Sequence, residues 1–586
     1  MDSAKHEEAA ATAQAVEEAQ NTTKTAPNFE ELTSTASAQG QGLTGYEHLS
    51  IWETIKKFKM ASLICFVAAI SAAAEGYQIG LAGNIIANPG FAKQFGTQTN
   101  DAGEKVLASS VMSTWGSVAG VGQFVGQMAI PFVSNKFGRK AAMYTLWLIL
   151  ALSVTVECVS RNWKVWLVGK ILGSMGVGCL QATIPVYVGE VAPIRARGTF
   201  LMCYSLWWVT GQFFAPVALQ SMSTNDSTNW LTPVYTQWAQ IGLMLIIFIV
   251  IPESPSWYAS VNKTEQGKKS LGIIYGGIKD FDINRQYHLL EINIEHERAV
   301  TQTGEVAKWW EVFRGTDRLR TIISFWAPLS QQFIGLQVFF TYGTYFFQQA
   351  GIQDPFKVTC ITSGVNIAAS FVIIYLADIT GRRWIVCSGT TLCMVCNVGV
   401  GILSVVPRSS TSDIFLVVFA VFWNIGLIAN SASGYAYLSE TSSLRLRTYT
   451  GGFAIGVIGP LGIVLSVLVP YMINANQWNW GLKTCWFFTG IGMPFVVAMW
   501  FLMPETAGRS TAELDELFER KIKPWRFHKT ETLTQKIIEM KEVAARTSQP
   551  LAAAAAAARG HGTARAGGGA HYSAGPAPIR ARLKPG

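Results

Sequence analysis

The tetrapeptide F-G-R-K at 137–140 returns as T-G-R-R at 380–383, an offset of 243 residues between Gly138 and Gly381. G-E-V-A-P-I-R-A-R-G at 189–198 returns as S-E-T-S-S-L-R-L-R at 439–447, where Glu190 to Arg197 and Glu440 to Arg447 are both seven residues. P-E-S-P-S-W at 252–257 returns as P-E-T-A-G-R-S at 504–510, an offset of 252. Three motif pairs at nearly one spacing divide the chain into two related halves.

Each motif stands at the end of an apolar run. From Ala61 onward twelve runs are long enough to cross a hydrocarbon core of about 30 Å. They lie near 61–83, 109–133, 141–159, 165–188, 199–220, 236–252, 321–347, 358–378, 384–406, 413–438, 450–473 and 483–503. Of the 586 residues, 50% are hydrophobic and 14% charged, against about a quarter charged in a soluble chain. The chain therefore reads as an all-α integral membrane protein of twelve transmembrane helices in two six-helix pseudo-repeats. A soluble enzyme, a disordered scaffold and a secreted disulfide protein are excluded. All nine cysteines fall inside apolar runs, and C-x-x-C at 393–396 has no second ligand pair nearby. No metal, cofactor or catalytic residue is expected.

The charges set the topology. Lys136, Arg139 and Lys140, then Arg195 and Arg197, Arg382 and Arg383, and Arg445 and Arg447 follow the second, fourth, eighth and tenth runs. That one face is expected to be cytoplasmic by the positive-inside rule. The net charge of +9 therefore reflects orientation rather than a nucleic-acid partner, and no obligate protein partner is evident. The expected plan is a disordered cytoplasmic tail at 1–58 without a signal peptide, and a six-helix half at 59–252. A cytoplasmic helical loop follows at 253–320, a second half at 321–503, and a tail at 504–586, of low complexity after about 549. Asn225, in the sequon N-D-S, is a candidate glycosylation acceptor. Inverted or parallel repeats of this kind place a polar site between the halves near the midplane and expose it to each side in turn.

G-R-[KR] after the second and eighth runs, E-x-A-P-x-x-x-R-G after the fourth, P-E-S-P after the sixth, Q-Q-x-x-G in the seventh and P-E-T-x-G after the twelfth stand in order along roughly residues 60–520. In this the chain resembles the sugar porter family of the major facilitator superfamily. E-G-Y-Q in the first run, W-x-x-G-Q at 208–212 and Y-G-T-Y-F-F-Q-Q-A-G at 342–351 resemble the fungal alpha-glucoside (maltose-type) permeases within it. The resemblance implies the major facilitator fold, a sugar as substrate and a lipid bilayer as surroundings. It implies a gating charge network at the cytoplasmic helix ends from Arg139, Glu190, Arg197, Glu253, Arg382, Arg383, Glu440, Arg447 and Glu505. Those charges are expected to stabilise the outward-open state and part when the halves rock. Glu190 and Arg197, seven apart, are too far for one helical pair, so their partners should be charges on neighbouring helix ends.

A sugar offers many hydroxyls and no charge, so its contacts should be uncharged and polar. Gln331, Gln332 and Gln337 form such a set, and the resemblance assigns the first two and the position of the third to sugar contact. Asn366 matches another such contact; Tyr342 and Gln212 are further candidates. Ionisable groups inside a membrane are costly and functional by default. Glu75 lies too deep to snorkel and suits a carboxylate that loads and releases a proton, with Lys170 as the opposing charge. Glu157 is expected to reach the outer interface. Proton-coupled relatives carry Asp at the position of Gln78, and alpha-glucoside symporters an Arg where Ile455 stands. The sequence is thus read as a secondary or facilitative transporter of a sugar, an alpha-glucoside or oligosaccharide first, with or without a proton. An exporter of a small polar metabolite and a non-transporting sugar sensor are its alternatives. A multi-pass position in the plasma membrane with both termini cytoplasmic is expected.

Overall fold

Lipid cannot satisfy a backbone N–H or C=O, so each apolar run closes its hydrogen bonds within itself as a helix. The computed structural model describes residues 51–99, 103, 105–193, 196–278, 281–302, 309–442, 446–506 and 511–530. Spans 1 to 6 are Lys59–Ala87, Ser109–Phe137, Arg139–Val159, Trp163–Val191, Arg197–Asn225 and Leu231–Val250. Spans 8 to 12 are Pro355–Thr380, Arg382–Leu403, Ser410–Glu440, Arg447–Ile473 and Thr484–Leu502. Among the described residues, nine helices are apolar enough to cross a bilayer by length and composition alone. Spans 2, 5 and 7 are not among them, and these carry Gln123 and Gln127, Gln212, and Gln331 and Gln332.

Span 7 is broken. It runs Gly315–Phe333, a wide turn Gln337–Thr341, then Gly343–Gln349. Gly335 has φ +94, a conformation that costs glycine little and other residues much. The Ile334 carbonyl left over at the break accepts Asn397 Nδ2 at 2.8 Å and Trp423 Nε1 at 3.0 Å. Spans 9 and 10 thus hold the break open.

The expected tail at 1–58 is shorter in one respect: Ile51–Lys57 is helical, while 1–50 lie outside the described residues. The central loop holds helices at Pro255–Ser260, Thr264–Tyr275 and Ile283–Gln302. Beyond span 12, helix Thr511–Glu519 and the turn Pro524–Lys529 dock Leu514, Leu517, Phe518 and Phe527 on the C-terminal half. The low-complexity region lies outside the described residues. A short helix Pro89–Phe95 and a two-stranded ribbon at 98–99 and 105–106 fill the first outer loop, which the sequence did not announce.

We call the end carrying the basic motifs inner. The largest apolar core crosses both halves toward the outer end, joining Leu81, Ile85 and Met112 to Val338, Phe346 and Val469. Two other cores stay within one half toward the inner end. Hydrogen bonds from Ser109 to the Pro470 carbonyl (3.3 Å), Ser113 to Val467 (2.8 Å), Thr344 to Asn84 Oδ1 (2.7 Å) and Gln348 to Ala87 (3.3 Å) also join the halves outside. The molecule is closed at its outer end. Asn225 stands exposed there, at the last residue of span 5.

Candidate functional site

The repeated motifs build one structure twice. Glu253 accepts the backbone N–H of Arg139 and of Lys140, both at 3.0 Å, and so caps span 3. Glu505 does the same for Arg382 and Arg383, at 2.9 and 3.2 Å, and caps span 9. A carboxylate there answers both the orphan donors and the positive end of the helix. The preceding glycines have φ +110 and +87, and a Cβ on either would lie 2.4 Å from the capping carboxylate. That is why glycine precedes arginine in both halves. Tyr187 donates to the Pro252 carbonyl at 2.7 Å, and Tyr437 to that of Pro504 at 2.8 Å. This Tyr, three residues before each motif Glu, is a repeat the sequence reading missed.

Arg139 grips Glu190 through Nε and Nη2, the shortest contact being 2.6 Å. Arg383 Nη2 donates to the Trp500 carbonyl at 2.7 Å. Arg197 is exposed at the start of span 5 and joins none of these contacts. The side chains of Glu440 and Arg447 lie outside the described residues. Each of these contacts stays within one half and is made while the outer end is closed, so they need not part when the halves rock. If the Arg139–Glu190 grip nevertheless sets the pace of the cycle, Arg139→Gln should slow counterflow about tenfold, ~1.4 kcal/mol, with sugar affinity unchanged. Matching losses of affinity and yield would mark a structural anchor instead.

The C-terminal half carries the amides. Gln331 Nε2 donates to Asn430 Oδ1 at 3.0 Å, and Asn430 in turn donates to Thr390 at 2.7 Å and Ser330 at 3.1 Å. Gln331 is thus tied into a network joining spans 7, 9 and 10. Gln332, 8% exposed, faces Gly462 of span 11, and its Oε1 is buried without a partner. Gln337 Oε1 and Asn397 Oδ1 share that condition. Asn366 Nδ2 donates to Asn424 Oδ1 at 3.1 Å, and its own Oδ1 is likewise unpartnered. Tyr342 donates its hydroxyl to the Ser466 carbonyl at 3.4 Å. That carbonyl is free because Pro470, four residues on, has no N–H. Gln212 is buried against Gly80 between spans 1 and 5.

The N-terminal half carries the charges, and here the expected pairing fails. Glu75 is 2% exposed and accepts Gln181 Nε2 at 2.6 Å and the Tyr204 hydroxyl. Gln181 Oε1 accepts Gln123 and Gln127 at 2.7 and 2.8 Å. Glu75, on span 1, thus sits in a cluster of neutral polar side chains from spans 2, 4 and 5. Lys170 does not oppose it. Lys170 pairs with Glu157 at 3.2 Å and lies over the Trp166 ring at 4.7 Å. Glu157, two residues from the outer end of span 3, is fully buried between helices and also accepts Gln78 Nε2 at 2.9 Å and Gln237 Nε2 at 3.1 Å. Facing helices chose these partners: a lysine about two turns into span 4 meets the end of span 3, whereas Glu75 meets Gln181 farther along span 4 and Tyr204 of span 5.

Gln123, Gln127, Gln181, Tyr204, Asn397, Asn424 and Asn430 were not singled out from the sequence. A Gln or Asn in the middle of an apolar run was the available signal, but it reads the same for helix packing and for a site.

Two six-helix halves with buried polar clusters in each, closed together at one end, are the architecture of a membrane transporter. A family model described as sugar (and other) transporter matches residues 64–518. The chain belongs to the sugar transporter family of the major facilitator superfamily; it is a transporter and not an enzyme. It is 25% identical to the high-affinity hexose transporter HXT6 of Saccharomyces cerevisiae over 82% of this chain and 86% of that one. It is 26% identical to the general alpha-glucoside permease of Saccharomyces cerevisiae over 82% of this chain and 79% of that one. The fold matches the inward-open xylose transporter XylE from E. coli at TM-score 0.62 and 19% identity, over 78% of this chain and 99% of that one.

Proposed function

We propose that the protein carries a neutral sugar, an alpha-glucoside in preference to a free hexose, into the cytoplasm together with a proton. The observation that carries the reading is the set of buried acceptor oxygens without partners on Gln332, Gln337, Asn366 and Asn397. Each such oxygen costs about 1–3 kcal/mol until a donor arrives, and a ring of sugar hydroxyls supplies several donors at once. The names of the two yeast relatives support both sugar classes. The first-run and span 7 motifs favour the glucoside. Gln331, Gln332, Gln337 and Asn366 form the binding surface. Tyr342, committed to the Ser466 carbonyl, and Gln212, packed in a helix contact, serve the frame around it.

Glu75 is the proton carrier in this reading, because it is buried without a cation to hold it. Lys170 is engaged by Glu157 and takes no part. The inner-end motifs hold each half rigid and face the cytoplasm, and the plasma membrane is the site of action. The test is uptake of labelled maltose and glucose in yeast lacking its own transporters, with external pH recorded. Maltose entry with external alkalinisation is the expected result. Glucose entry alone would shift the substrate to hexoses, and entry without alkalinisation would remove the proton.

A further inference from the structure

The strip R-K-I-K-P-W-R-F-H-K at 520–529 carries five lysines and arginines and one histidine, with no acid from Arg520 to Thr530. It comes soon after Leu502, where span 12 ends. The structure sorts its side chains by character. Pro524 and Phe527 are buried and Ile522 and Trp525 half-buried, whereas Arg520, Lys521, Lys523, Arg526, His528 and Lys529 are all exposed. Phe527 packs on Phe518, centroids 5.0 Å apart, and the Arg320 guanidinium of span 7 lies over the Phe518 ring at 4.9 Å. Trp525 meets Phe501 edge to face at 5.8 Å. Phe501 stands in the last turn of span 12 and is 56% exposed. An exposed apolar side chain of a span faces lipid, so Trp525 stands at the hydrocarbon boundary, where tryptophan concentrates. Lys523 Nζ lies 5.2 Å from the Trp525 centroid and shares that level. The strip is thus docked beside the bilayer, its apolar side on the protein and its charged side outward.

We propose that the strip 520–529 binds the anionic phospholipid headgroups of the leaflet at the inner end. Neither the sugar nor the proton enters into this. Like charges packed on so short a segment repel one another unless anions answer them. Glu516 pairs with Arg520 at 3.0 Å. Among the described residues, Lys521, Lys523, Arg526 and Lys529 have no carboxylate within ion-pair distance. A basic segment next to a span is drawn to anionic headgroups, and each cation near that surface strengthens the attraction about fivefold. Orientation by basic residues does not account for the strip, because the repeat supplies a comparison. At the P-E offset of 252, its counterpart is K-K-S-L-G-I-I-Y-G-G at 268–277, which has two lysines. That stretch lies largely in the helix Thr264–Tyr275 and buries Leu271 and Ile274. The shared scaffold thus carries two cations at this position, and the C-terminal half carries five beside a tryptophan at the boundary. An acidic protein would answer the charges equally well, but it would not explain why Trp525 is set on a lipid-facing phenylalanine.

Hydrogen exchange of the full chain in lipid nanodiscs tests this, with phosphatidylcholine alone and phosphatidylcholine mixed with phosphatidylserine as the two surroundings. The amides of 520–530 are expected to exchange about tenfold more slowly in the phosphatidylserine discs. Salt at about 1 M, which shortens the reach of charge to about 3 Å, should erase the difference. Lys521→Gln, Lys523→Gln and Arg526→Gln, made together, should erase it as well. Lys263→Gln, Lys268→Gln and Lys269→Gln, made together, remove the same charge from the N-terminal half and should leave it in place. Equal exchange of the wild type in the two discs overturns the proposal. Slowing that survives the strip variant overturns it by placing the lipid elsewhere. Slowing lost equally in the N-terminal variant overturns it in favour of net charge. Polyglutamate or inorganic phosphate that slows these amides in phosphatidylcholine discs, where phosphatidylserine does not, would assign the strip to an acidic protein or a free anion instead. Should the strip variant fail to fold, the wild type at rising salt decides the question: slowing that salt does not remove is not the work of these charges.

Discussion

Alanine at Gln332 or at Asn366 should weaken sugar binding by about 10- to 100-fold, some 1–3 kcal/mol for each polar partner lost to a substrate hydroxyl. Both amides are buried and both present an oxygen with no partner inside the protein, so their removal relieves an unmet cost in the empty site and imposes one on the loaded site. Yield and Tm should therefore stay near wild type or rise for Gln332→Ala, whose Oε1 has no hydrogen-bond partner among the described residues. Gln331→Ala should behave differently. Gln331 donates to Asn430 within a network that also holds Thr390 and Ser330, so its loss should lower Tm as well as affinity. Equilibrium binding of maltose to detergent-purified variants, read beside thermal melting, separates the two patterns. Unchanged affinity in all three variants would remove these residues from the site.

Glu75→Gln should leave counterflow in place and abolish accumulation together with its pH dependence. The sign follows from the chemistry: a carrier that must be protonated to load works faster as external pH falls, and glutamine, always neutral, has no pH term. Accumulation in liposomes at a series of external pH values checks it; a Glu75→Gln protein that still concentrates maltose would move the proton elsewhere. Gln78→Asp, the change that would restore the residue of proton-coupled relatives, is not expected to help here. Gln78 donates to Glu157, and an Asp in its place would set a second carboxylate against the first. Lys170 would then face two anions in a membrane interior, where an unmatched charge is costly. A lower Tm and no gain in accumulation are the expected result.

Much of the architecture was legible. Twelve apolar runs became helical spans because lipid tolerates no other backbone arrangement, although among the described residues length and composition alone suffice for nine of them. The repeats G-R-[KR] and P-E were legible as a pair of halves, and the structure supplies their reason: a glycine with positive φ makes room for the glutamate that caps the next helix. Breaks and short pieces were harder. Nothing in the run 321–347 announced that span 7 would stop at Phe333, since the break depends on Asn397 and Trp423, some 60 to 90 residues away.

What the sequence determined by itself was the membrane class, the two halves, and the polar residues of span 7, because each is written in local composition or in a motif that recurs. What only the tertiary structure decided was who meets whom. Lys170 took Glu157 rather than Glu75, Glu75 took Tyr204 and Gln181, and Tyr342 took a carbonyl that Pro470 had freed. The reason is geometric: a helix in lipid is apolar on nearly every face, so its periodicity does not say which way a lone polar residue turns. The rotation and crossing of neighbouring helices decide that, and those are set by close glycine contacts such as Gly76 on Trp208 and Gly211 on Ala73.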